Sequence, residues 1–193
     1  QIAFTVKVRG KASHAGFAPQ DGVHAIRIAA TAIAEMAIGR IGDDTTVNVG
    51  HIEGGRASNI VPDYCEVSGE LRSFSHKKAL EELAKVEQIF AKEAEKCGGS
   101  IEFIRDICYQ AYKTDENESV VKEFQKACAA CGIKSSLIAT FGGSDQNKMS
   151  EHGIPGIVMA SAMHQVHSCQ EYTEVSEMAQ VAGIVSELLQ MKE

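Results

Sequence analysis

"TTVNVGHIEGG" (45–55) and "NIVPDYCEVSGELRSF" (59–74) decide the fold. Both read as strands, with β-branched and apolar residues set against polar or small ones. They are joined through "GRAS" (55–58), so two strands follow one another in the first half of the chain. Working back from them, "IAFTVKVRG" (2–10) sets Ile2, Phe4, Val6 and Val8 against polar or small neighbours, a third strand. After the loop "KASHAGFAPQDG", Val23, Ile26, Ala30, Ile33 and Ala37 recur at spacings of three and four, which predicts a helix over about 21–38. Its other face carries Ala25, Ile28, Ala29 and Ala32, so cover on both sides is expected. Working forward, "SHKKALEELAKVEQIFAKEAEKCGG" (75–99) is a long amphipathic helix. Ser75 is its N-cap, Leu80, Leu83, Phe90, Ala94 and Cys97 its inner stripe, and Gly98-Gly99 its stop. "SIEFIRDICYQAY" (100–112) supplies a last strand.

The order is β-α-β-β-α-β, an α+β fold of the ferredoxin-like, split βαβ kind. It predicts a four-stranded antiparallel sheet with two helices on one face. That fold hosts many activities and names none.

"KTDENES" (113–119) is polar and marks a junction, giving expected domains 1–112 and 113–193. Beyond it the pattern predicts a helix over about 117–131 and a strand "SSLIATF" (135–141). A glycine turn with a short helix, a strand "GIPGIVMAS" (153–161) and a helix from about 174 to 191 follow. In that last helix Met178, Val181, Val185, Leu188 and Leu189 form one face. Two strands are too few for a doubly wound sheet. The region is therefore expected to be an incomplete α/β segment whose remainder precedes Gln1, making the chain a fragment of a longer protein.

A hydrophobic content of 44% in 193 residues suits a globular protein with a real core. The net charge of −7, from 19 basic against 26 acidic residues, argues against nucleic acid and anionic membranes as partners. No apolar run approaches the roughly 20 residues of a membrane span, and no signal peptide opens the sequence. The cysteines at 65, 97, 108, 128, 131 and 169 form no compact disulfide framework, so reduced thiols in a cytoplasmic protein are expected.

Several stretches carry potential chemistry. Cys128 and Cys131 form a lone C-x-x-C at a predicted helix end, where packing is the simpler role. "FGGSDQNK" (141–148) places Gly142 and Gly143 between strand and helix, either to let backbone N–H groups meet an anion or as an ordinary capped turn. His14 lies in a glycine-flanked loop, and Arg56, Asn59 and Arg72 lie on or near strands of the same sheet. An arginine there suits carboxylate recognition or is a surface charge. "MASAMHQVHSCQEYTEV" (159–175) crowds His164 and His167 after an apolar run, with Glu171 and Glu174 following, as surface histidines or a metal site. A serine hydrolase is rejected: there is no G-x-S-x-G elbow, and Ser144 with His167 lacks a convincing third member.

Taken in order, "GKASHAGFAPQDGVHAI", "GGRASNIVPDYCEVSGELRSF", "FGGSDQNKMSEHGIP" and "HQVHSCQEYTEV" resemble the two-zinc metallopeptidases related to peptidase T, carboxypeptidase G and succinyl-diaminopimelate desuccinylase. The "GGSD" and "H-x-x-H-S" stretches resemble the peptidase T-like, tripeptidase branch. The resemblance covers essentially the whole chain. It implies that residues 1–112 are a lid or dimerisation domain and residues 113–193 the C-terminal part of a catalytic domain. It also implies a role for each matching residue. His167 takes the place of the last zinc ligand, and His164 that of a neighbouring histidine facing substrate. His14 takes the place of the lid histidine that reaches the partner subunit's site to hold substrate or the oxyanion. Asn59 and Arg72 match lid residues that contact substrate, Arg72 through a carboxylate. Gly142 and Gly143 match the loop that offers N–H groups to substrate.

The family's other metal ligands and its glutamate base come from a segment preceding the lid, which this sequence does not contain. The resemblance therefore implies a zinc-dependent di- or tripeptidase, with cobalt or manganese as alternatives, acting through a metal-activated water. It implies a homodimer, short peptide substrates and an isolated chain without activity. A non-catalytic homodimerisation module, pairing strand 45–55 with its twofold mate, is the competing reading. A small-molecule-binding regulatory domain would leave "HQVHS" and "GGSD" unexplained.

Overall fold

A computed structural model describes residues 1–190. The chain divides into two compact units, 1–111 and 112–193. The first runs β1 (Ile2–Arg9), β2 (Ser13–His14), α1 (Ala25–Glu35), β3 (Gly39–Ile41), β4 (Thr45–Gly54), β5 (Ile60–Val61), β6 (Tyr64–Ser73), α2 (His76–Lys96) and β7 (Ser100–Ile107). The second has α3 (Ser119–Ala130), α4 (Asp145–Glu151) and α5 (Val175–Gln190).

In the first unit a five-stranded antiparallel sheet has the order β3-β4-β6-β1-β7. β1 lies inside the sheet between β6 and β7, and its alternation buries one face: Ile2, Phe4, Val6 and Val8 are buried, and Val6 lies opposite both Val67 and Phe103. Their face joins Cys65, Val67 and Leu71 of β6 in one core with α1 and α2. Removing a side chain the size of Phe4 or Phe90 from water is worth about 1.5–3 kcal/mol each.

The expected β-α-β-β-α-β order is present, with two short strands, β2 and β3, added. β3 is short and pairs Gly39 with Val47 and Ile41 with Thr45. Three residues rich in turn formers give too little alternation to announce a strand. The run 59–74 is also not one strand. It breaks at Pro62, whose missing N–H cannot enter a ladder, so β5 turns away to pair with β2 in a separate ribbon.

Two helix faces differ from the sequence reading. α1 begins after His24, whose ring accepts the N–H of Arg27, and ends at Met36, four residues in from the expected start. Ala25, Ile28, Ala29 and Ala32 form its buried face, while Ala30 and Ala37 are exposed. Small residues at these positions let the helix lie close to the sheet. In α2 the stripe is Ala79, Leu83, Val86, Phe90 and Ala94, whereas Leu80 and Cys97 are exposed. Ser75 caps α2 by accepting the N–H of Lys78. Gly98, at φ +74°, gives the left-handed turn that lets the N–H of Gly99 reach the Ala94 carbonyl.

In the second unit α3 packs on α5 through Ala127, Cys128 and Ile184, with Phe124, Cys131 and Leu188 beside them. The C-x-x-C is thus a packing pair, and burial raises the Cys128 thiol above its ordinary value. Ile184, absent from the expected face of α5, is its buried residue, while Met178, Val185 and Leu189 are exposed. The expected end of that helix at 191 lies outside the described residues. The predicted strands 135–141 and 153–161 do not form. Strands need ladder partners, and among the described residues none pairs with these runs, leaving Ile138 83% exposed. No helix among the described residues is long and apolar enough to cross a membrane.

Candidate functional site

The candidate residues of the first unit fall in two places. At one, β2 and β5 form a two-residue ribbon with Ser13 opposite Val61 and His14 opposite Ile60. The N–H of Ala15 donates to the Asn59 carbonyl at 2.9 Å, which brings His14 and Asn59 together on an exposed tip. The imidazole Nδ1 accepts the N–H groups of Gly16 at 3.1 Å and Phe17 at 3.2 Å. The Phe17 ring leans on the imidazole with 4.4 Å between centroids.

Arg72 stands elsewhere, on β6. Its Nε donates to Glu70 Oε1 at 2.8 Å, and a terminal nitrogen donates to Oε2 at 3.1 Å. The Gln1 side-chain amide donates to the same carboxylate. The Arg72 guanidinium holds the Glu70 carboxyl below its ordinary value, and Glu70 raises Arg72 in return. A substrate carboxylate at Arg72 would have to take the place of Glu70.

In the second unit Gly142 and Gly143 precede Ser144, the N-cap of α4, which shares a capping box with Asn147. The Gly142 N–H is taken by Thr140 Oγ1 at 3.1 Å. His164 and Tyr172 exchange main-chain hydrogen bonds of 2.9 and 3.2 Å, closing a loop that carries His167. Within that closure the two rings stack at 4.7 Å, and His164 Nε2 meets Glu177 Oε2 at 2.6 Å. His167 has a left-handed backbone, φ +64°, and its N–H donates to Glu171 Oε2 at 3.1 Å. A shallow recess lined by Tyr112, Thr114, Glu118 and Ile154 contains none of these residues.

A two-metal centre needs several imidazole and carboxylate donors converging on one point. Among the described residues no three His, Cys, Asp or Glu side chains come together in that way. His164 is engaged by Glu177, which leaves His167 as a single imidazole. The described residues do not fit such a centre by themselves.

Sequence reading missed Phe17, Glu70, Tyr172 and Glu177. The Glu70–Arg72 pair had a signal, since residues two apart on a strand share a face. Glu177 lies 13 residues from His164, and only the fold brings it there.

Residues 1–97 match the family model of the peptidase dimerisation domain. Aminopeptidase PepT of Bacillus cereus ATCC 10987 is 36% identical, with a TM-score of 0.85 over 98% of this chain and 51% of that one. A tripeptidase of Staphylococcus aureus is 30% identical, with a TM-score of 0.91 over 98% of this chain and 51% of that one. The uncharacterised protein YqjE of Bacillus subtilis (strain 168) is 35% identical over 190 residues, 98% of this chain and 51% of that protein. The chain spans about half the length of each.

Proposed function

This chain belongs to the M20 peptidase dimerisation-domain family, and we propose that it is part of a metal-dependent exopeptidase cleaving di- and tripeptides. In this reading residues 1–112 are the lid and dimerisation domain, and residues 113–193 belong to the catalytic domain. The observation that carries it is the β2–β5 ribbon, in which the Ala15 N–H donates to the Asn59 carbonyl and brings residues 14 and 59 to one exposed tip. An imidazole and a carboxamide are groups suited to the carbonyl and N–H of a peptide. His14 holds the oxyanion, Asn59 grips the peptide, and Arg72 receives a carboxylate in exchange for Glu70. Gly142 and Gly143 offer main-chain N–H groups, His164 faces the substrate, and His167 is a ligand of a zinc site completed by residues outside this chain. Cobalt or manganese are alternatives.

The isolated chain is expected to be inactive, since it supplies too few metal donors and no matching general base. The lid forms a homodimer along β4, whose residues beyond Val47 pair on one side only, among the described residues. Six free cysteines suit a reducing cytoplasm. A non-catalytic homodimerisation module is the second reading, favoured by the absence of a three-donor cluster among the described residues.

Calorimetric metal titration of the chain, the full-length protein and its His167→Ala variant tests the proposal. Two tight sites in the full-length protein, weakened by the substitution and absent from the chain, support it. A full-length protein that binds no metal refutes the peptidase reading and leaves the dimerisation module.

A further inference from the structure

We infer that Phe17 selects the substrate, favouring peptides with an apolar side chain on the residue whose carbonyl His14 holds. The inference rests on the peptidase reading of the ribbon tip and adds a specificity to it. The imidazole accepts two main-chain N–H groups at Nδ1, from Gly16 and Phe17. A neutral ring that accepts at Nδ1 carries its proton on Nε2. His14 therefore offers an Nε2–H donor, suited to a carbonyl or developing oxyanion and unsuited to removing a proton.

The Phe17 ring rests against that imidazole, tilted by 36°, yet is 86% exposed. Phe4 and Phe90 are buried in the core of this unit, Phe103 is partly buried and Phe74 is 42% exposed, so Phe17 is its most exposed phenylalanine. The loop holding Phe17 leads into a 3-10 turn, Pro19–Asp21, that buries no residue. An exposed phenyl gains by covering its free face with apolar surface. A carbonyl oxygen held by Nε2–H stands two bonds from the Cα of its own residue. With 4.4 Å between the two ring centroids, the side chain on that Cα falls within reach of the phenyl. Donor and apolar surface thus sit side by side, set by the same two hydrogen bonds.

The test uses the full-length enzyme with tripeptides that differ only at the residue contributing the cleaved carbonyl: Gly, Ala, Leu or Phe. Phe17→Ala should lower kcat/KM about tenfold for the Leu and Phe peptides, chiefly through KM, and leave the Gly peptide within about twofold. Phe17→Leu should restore most of the Leu preference. Equal losses on all four peptides, or no loss on any, overturn the inference while leaving the peptidase reading intact. Nitrogen-15 NMR of His14 should show Nε2–H; an Nδ1–H ring overturns the donor assignment. An enzyme that cleaves none of the peptides removes the peptidase reading, and this inference with it.

Discussion

Phe4 and Gly69 face each other across β1 and β6, and the Phe4 ring fills the space a side chain at 69 would need. A Cβ at 69 would stand 2.4 Å from Phe4 Cζ and 2.3 Å from the Asn48 carbonyl oxygen. A ring can swing away, but the carbonyl belongs to the ladder between β4 and β6. Gly69→Ala should therefore cost about 2–3 kcal/mol, as overpacking of a tight core does, read from denaturant midpoints. A change below about 0.5 kcal/mol would show that β4 yields more readily than its pairing implies.

Glu70 and Arg72 form a partly exposed two-point ion pair, so its contribution is modest, about 0.5–1 kcal/mol. The folded carboxyl titrates below the ordinary value of 4.5 because Arg72 donates to it. The sign follows from that: the stabilisation is fully present above 4.5 and is lost as pH falls through the lower, folded value. Glu70→Gln should lower stability at neutral pH by that amount and flatten the acid limb of the stability profile. Thermal unfolding between pH 2 and pH 7 reads both effects, and an unchanged acid limb would count against the pair.

Ser75 accepts the N–H of Lys78 at the start of α2, the longer helix on the sheet. Ser75→Ala should destabilise the first unit by about 1 kcal/mol, and Ser75→Asp should recover most of it. Equilibrium unfolding followed by circular dichroism distinguishes these outcomes.

Glu177 fixes His164, and through the stacked Tyr172 it closes the loop that carries His167. Losing a hydrogen bond to a carboxylate costs about 1–2 kcal/mol, which is about a tenfold change in local opening. Glu177→Ala should speed amide exchange at His164 and Tyr172 by that factor and leave Cys128 unchanged. Uniform acceleration across the unit would instead indicate a general loss of packing.

Much of the first unit was legible because its signals are local. The alternation of Ile2, Phe4, Val6 and Val8 fixes the face of β1, and Ser75 with Gly98 bounds α2, without reference to distant residues. The stripes on α1 and α2 were legible in part: Val23, Ile26, Ile33, Leu83, Phe90 and Ala94 pack in or against the core, but apolar residues outnumber the positions that reach the sheet. Which of Ala30 or Ala29, and Leu80 or Ala79, turns inward depends on how the helix is rotated against its neighbours. The strands expected at 135–141 and 153–161 failed for a related reason: apolar runs propose strands, but only partners make them.

The candidate sites divide in the same way. The sequence by itself determined the βαββαβ order and singled out His14, Asn59, Arg72, His164 and His167 by residue type and neighbourhood. Tertiary structure alone decided that Asn59 lies beside His14, because Pro62 diverts β5 out of the main sheet and onto β2. It also gave Arg72 to Glu70 and His164 to Glu177. Hydrogen bonds and ion pairs are made in space, between groups whose distance along the chain carries no trace of their meeting.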